Sequence, residues 1–107
     1  MATLSAGTRL QLGAEGVAGK MIYIAGTALL DGLATRDSLE LRLISSVANG
    51  EECRMRIPSS TLVSLTYTAE DTLLSDDLSG ELENARARAQ EEGVVILEFT
   101  TGLHPTG

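Results

Sequence analysis

The chain has 107 residues, with 15 acidic and 8 basic side chains, a formal charge of -7, 43% hydrophobic residues and 3% aromatics. At this length one domain, residues 1–107, with a single core is expected. So acidic a chain, with Lys20 as its one lysine, excludes a duplex nucleic-acid binder, because phosphate binding depends on counterions displaced by Lys and Arg. The lone cysteine, Cys53, excludes an intrachain disulfide and makes a cytosolic origin the default.

Met1 to Ser5 has neither a basic segment nor an apolar core, and the longest apolar stretch, Met21 to Leu30, falls short of the roughly 20 residues a membrane span needs. Neither a signal peptide nor membrane insertion is expected. Thr8 to Leu12 alternates as a strand does, and Lys20 to Ala25, apolar on both faces, reads as a second strand. The glycines between Gly13 and Gly19 then form the turn of an antiparallel hairpin. The string Gly16-Val17-Ala18-Gly19-Lys20-Met21 is faintly like a phosphate-binding loop and fails three tests. Ala14 stands at the first glycine, Met21 at the hydroxyl position, and a strand instead of a helix is expected to follow.

Leu39, Leu41 and Leu43 alternate with charged residues in a strand from Ser38 to Val47, and a second strand runs from Glu51 to Ile57. A two-residue Asn49-Gly50 turn would mix charged and apolar residues on each face. A three-residue Ala48-Asn49-Gly50 turn sets Leu43 against Met55, Leu41 against Ile57 and Ser45 against Cys53, with Cys53 on the buried face. The other face carries Glu40, Arg42, Glu52, Arg54 and Arg56, with Arg42 across from Arg56. Facing like charges are unfavourable, so the arginines call for a carboxylate partner, within the fold or on another chain, unless solvent and salt screen them.

From Glu70 to Glu83 the chain carries Glu70, Asp71, Asp76, Asp77, Glu81 and Glu83 and no base. Leu78, Leu82, Ala85 and Ala89 then draw the stripe of a helix, capped by Ser75 or Ser79 and ended at Gly93. Glu83 with Arg86, and Arg88 with Glu92, stand at helix pair spacings. Val94 to Phe99 reads as a buried central strand, and Thr100 to Gly107 as a tail. The expected fold is α+β, mainly β: an antiparallel β-sandwich or open barrel with one helix packed on it. Tyr23, Tyr67 and Phe99 are placed in or near its core.

Catalytic chemistry has few candidates. His104, the one histidine, lies in the tail, where no base is held rigidly against a substrate. Cys53, on the inner face with no histidine partner, reads as a core residue. Asp76, Asp77 and Glu81 lack the alternating ligands and central glycine of a calcium loop and read as acids of a helix start. No catalytic residue, metal or cofactor is expected.

The order of these elements resembles the tail tube proteins of long-tailed bacteriophages. The likeness rests on Gly7-Thr8-Arg9-Leu10-Gln11-Leu12-Gly13, on Ile24-Ala25-Gly26 as a second strand, and on Gly50, Arg54, Ile57-Pro58, Val63-Ser64 and Tyr67. The helix and strand from Leu78 to Phe99 follow in the same order. Ser59 stands where the family often has glycine, and the family's further strands have no counterpart after Phe99. The resemblance implies a non-enzymatic virion protein, assembled in the bacterial cytoplasm, whose copies form rings that stack into a tube beside other tail proteins. DNA would pass without specific binding along an acidic lumen. It makes Arg42, Asn49, Gly50, Glu52, Arg54 and Arg56 the candidate subunit interface, and Glu70, Asp71, Asp76, Asp77, Glu81 and Glu83 the lumen or a neighbour contact. A small acidic protein-binding module, an adaptor or inhibitor that engages a basic partner, is the alternative.

Overall fold

A computed structural model of the chain describes residues 1–45 and 51–99. The Ala48-Asn49-Gly50 turn, with Asn49 and Gly50, and the tail with His104 lie outside the described residues. The elements in order are β1 (Ala2–Ala6), β2 (Leu10–Ala14), α1 (Gly16–Leu33), β3 (Ser38–Ser45), β4 (Glu51–Pro58), β5 (Val63–Thr66), a 3-10 turn (Glu70–Thr72), α2 (Asp76–Glu91) and β6 (Val94–Phe99). They build two three-stranded sheets, ordered β2-β1-β5 and β4-β3-β6. The fold is α+β, and among the described residues helix and strand are about equal in content and neither sheet closes into a barrel.

The largest departure from the sequence reading is α1. Lys20 to Ala25 is helical, and the hairpin expected across Gly13 to Gly19 is formed instead by β1 and β2, around Gly7 to Arg9. An apolar run has no clear period when apolar residues also stand on its exposed side, as Val17 and Leu30 do in α1. Ile22, Ala25, Leu29 and Gly32 make one buried row, and Ile24 and Ala28 a second. Its length separates the two readings, since Met21 to Leu30 is too long for a typical buried strand and suits a helix.

Two glycines set how closely α1 approaches its neighbours. A Cβ on Gly26 would lie 2.7 Å from Leu65 of β5, and one on Gly32 would lie 2.6 Å from Leu39 of β3 and 3.2 Å from Ala89 of α2. Each glycine costs a helix about 1 kcal/mol relative to alanine, and here that loss is set against close packing on both sheets. One core results. Leu4 from the first sheet, Leu39, Leu41, Ile57 and Leu97 from the second, and Ile22 and Leu29 from α1 are all fully buried. Burying each such side chain contributes about 1.5–3 kcal/mol. Tyr23 packs against the core from its margin, whereas Tyr67 is 51% exposed and stacks edge-on against it, with ring centroids 4.7 Å apart. Tyr67 is therefore a surface residue.

β3 and β4 pair with the expected parity but with a register two residues shifted. Leu39 faces Ile57, Leu41 faces Met55 and Leu43 faces Cys53. Ser45 pairs with Glu51 where the expected turn sets Ser45 against Cys53, a shift of two residues, which keeps each face and moves each pair. Arg42 accordingly stands across from Arg54, and Arg56 across from Glu40. Cys53 shares the inner parity yet is exposed. β4 is an edge strand, and among the described residues it has a strand neighbour on one side only. β6 is also an edge and runs parallel to β3, so it is not the central strand expected.

α2 matches its reading closely. The Ser75 hydroxyl accepts from the Leu78 N–H, the early acids lie at the positive end of the helix dipole, and Gly93 adopts φ +71° just past the end. The Arg36 guanidinium donates to the Gln90 and Glu91 carbonyls and satisfies the helix C-terminus from outside. Arg86 pairs across to Asp31 of α1 and not with Glu83 in its own helix.

Candidate functional site

The residues expected to carry function fall on three surfaces. The first is the outer face of β4-β3-β6, where alternation brings Glu52, Arg54 and Arg56 of β4 beside Glu40 and Arg42 of β3. Their carboxylate partners lie on the same face. Glu40 Oε1 is 3.3 Å from Arg42 Nε and 3.9 Å from Arg54 Nη1, and Glu52 Oε1 is 3.1 Å from Arg54 Nε and 3.9 Å from Arg42 Nε. The two glutamates thus relieve the opposed Arg42–Arg54 pair. Arg56 makes no ion pair among the described residues; it donates to the Ser38 hydroxyl at 2.9 Å. Being half-exposed, the four-residue network contributes little stability, and its chemistry is that of a charged, nearly neutral face.

The second surface is the acidic run. Glu70, Asp76, Asp77, Glu81 and Glu83 are exposed on the 3-10 turn and α2. Asp71 departs from them: it is 2% exposed, so it is no part of a lumen or a neighbour contact. Its Oδ2 accepts from the Thr68 N–H at 2.9 Å and the Thr68 hydroxyl at 3.0 Å, and lies 3.3 Å from the Met1 ammonium. The Thr68 N–H, first among these, holds the carboxyl below its ordinary value of 3.8 against the opposing effect of burial.

Asp71 also lines a polar cleft of about 290 Å³ with Met1, Glu15, Gly16, Lys20 and Glu70. Here the third test of the phosphate-loop string is overturned, because a helix does follow the strand and begins at Gly16. The other two tests still fail. Lys20 is engaged, donating to the Leu73 carbonyl at 2.7 Å, and the carboxylates of Glu15, Glu70 and Asp71 repel a phosphate. Among the described residues no group of three His, Cys, Asp or Glu side chains is placed to hold a metal ion, and no helix is long and apolar enough to cross a membrane.

The third surface is the set of sheet edges, which the sequence reading did not single out. β2 and β5 border one sheet, β4 and β6 the other, and each leaves backbone groups on one side without a strand partner among the described residues. The ladder phase says which. The Gly7 N–H donates to the Leu62 carbonyl at 2.8 Å, so Leu62, Ser64 and Thr66 turn their backbone groups toward β1, and Val63 and Leu65 turn theirs outward. On β4 the Arg56 carbonyl accepts from Arg9 Nη1 at 3.1 Å, so Glu52, Arg54 and Arg56 are the outward-facing residues. The signal for this surface is in composition: no charged residue stands between Arg56 and Glu70, and β5 lies in the middle of that tract. No protein-family model, curated protein or solved structure matches the chain.

Proposed function

We propose that the protein is a non-catalytic structural subunit that associates with copies of itself, in the form that the tail-tube resemblance implies: rings stacked into a tube of a phage virion, with DNA passing through. The observation that carries self-association is the pair of open three-stranded sheets, whose four edge strands leave hydrogen-bonding backbone without a strand partner among the described residues. The exposed acids of the 3-10 turn and α2 support an acidic passage, since phosphate is repelled there. The charged face of β4-β3-β6 is the candidate stacking contact, with Arg56 as the arginine left for a neighbour's carboxylate. Ile24-Ala25-Gly26 lies in α1 and Gly7 to Arg9 in the β1–β2 turn, so both drop out of the strand likeness, and the tube form rests on the remaining matched residues, whereas association rests on the edges.

The second reading, a small acidic module for a basic partner, is favoured by α2. Asp76, Asp77, Glu81 and Glu83 are all exposed on that one helix. Negative-stain microscopy with mass measurement across a concentration series separates the two. Rings or tubes, shortened by Arg54→Glu with Arg56→Glu, are the expected result. A monodisperse monomer at the highest concentration overturns the assembly reading and leaves the module.

A further inference from the structure

We infer that the self-association edge is β5, and that its partner is β5 of a second copy, antiparallel about a two-fold axis, joining two β2-β1-β5 sheets into one six-stranded sheet. This rests on the self-association part of the proposal above and names its contact. Three observations favour β5 over the other edges.

The first is protection. Edge strands of soluble proteins are usually guarded by charge, proline, glycine or a covering side chain. β4 carries Glu52, Arg54 and Arg56 on its outward-facing residues, and Arg9 covers the Arg56 carbonyl. β2 is bracketed by Arg9 and Glu15 and has Gly13 at a pairing position, and β6 carries Glu98. Among the described residues β5, although the shortest strand at four residues, has no charge, proline, glycine or covering side chain on its edge. Leu62-Val63-Ser64-Leu65-Thr66-Tyr67-Thr68 is uncharged, lacks Pro and Gly, and is rich in β-branched, aromatic and leucine side chains, the composition that pairs strand to strand.

The second is exposure. Leu62 and Tyr67, at the two ends of β5, are 81% and 51% exposed, and a strand laid along the edge covers both. The third is self-complementarity, which a two-fold contact requires. Centred on Leu65, the antiparallel register sets Leu65 against Leu65, Ser64 against Thr66 and Val63 against Tyr67. These are apolar, hydroxyl and β-branched–aromatic pairs, all favourable across strands. The contact also brings two chains of charge -7 together along an uncharged border, where repulsion is least. β2, β4 and β6 remain for any further contacts of a larger assembly.

Sedimentation equilibrium of the full chain tests this with two double variants on the exposed side of β5. Ser64→Lys with Thr66→Lys sets lysine against lysine twice and raises the dissociation constant about tenfold. It does so while reducing the chain's net charge, so general repulsion does not account for the loss. Ser64→Glu with Thr66→Lys sets glutamate against lysine twice and restores association. Circular dichroism matching the parent checks that both variants fold. Equal association of the parent and both variants overturns the β5 contact and leaves self-association standing. Loss in both variants overturns the two-fold register, and a parent that stays monomeric overturns the contact and the assembly proposal together.

Discussion

The two sheets are alike in size and differ in what they turn to solvent. The outer face of β4-β3-β6 carries a half-exposed Arg and Glu network, with the same charged residues along its β4 edge. The outer face of β2-β1-β5 carries Thr3, Ser5, Gln11, Gly13, Ser64 and Thr66 and no charge. Both faces are polar enough to stay in water, but only the first also discourages another strand. Placement of charge, more than its total, thus directs where an acidic chain can meet its own copy, since exposed charges a Debye length apart, about 8 Å in physiological salt, are largely screened.

Because one core serves both sheets, the contrast should be confined to their surfaces. Leu4→Ala in β1 and Leu41→Ala in β3 each remove a fully buried side chain, and each should cost about 2–5 kcal/mol. Urea unfolding followed by circular dichroism should show one transition for both variants; two transitions, with only one moved, would break the single-core account.

The next effect belongs to acid. Asp71 has a folded-state pKa below its ordinary 3.8, so its contribution is fully present above that value and is lost as pH falls through the lowered one. Asp71→Asn should lower the melting temperature at neutral pH, and the gap to the parent should close below pH 3.8. A gap that persists unchanged in strong acid contradicts the assigned role.

Smaller is the cap. Ser75→Ala leaves the Leu78 N–H without its side-chain acceptor and should cost about 1 kcal/mol, read from the urea midpoint. Smallest is the network on β4-β3-β6: a double-mutant cycle on Glu52 and Arg54 should give a coupling below about 1 kcal/mol. A larger value would mean that this face is organised for stability.

Much of the fold is legible in the sequence where only one period fits. Ser75, the Leu78-Leu82-Ala85-Ala89 stripe and Gly93 mark α2 almost to the residue, and alternation gives β3 and β4 their correct faces. α1 is hidden because apolar residues on its exposed side, Val17 and Leu30, blur its period, leaving length as the remaining signal. β1 is hidden by its brevity, since Ala-Thr-Leu-Ser-Ala offers one large apolar residue in five positions. Register and the exposure of Cys53 depend on the length of the 46–50 connection and on which strand ends at an edge, and neither is a local property. The charged candidates on β3 and β4 do come together, Asp71 turns inward because Thr68 folds back on it, and the uncharged tract around β5 is visible in composition once an open edge gives it meaning.

The central claim, that association uses the unguarded edge, is tested most directly by amide hydrogen exchange measured residue by residue in dilute and concentrated solution. The account predicts that protection of the outward-facing Val63 and Leu65 amides rises with concentration, and at lower concentration than any change at Glu52 and Arg54. Protection gained at Glu52 and Arg54 with none at Val63 and Leu65, or at neither pair, would contradict it.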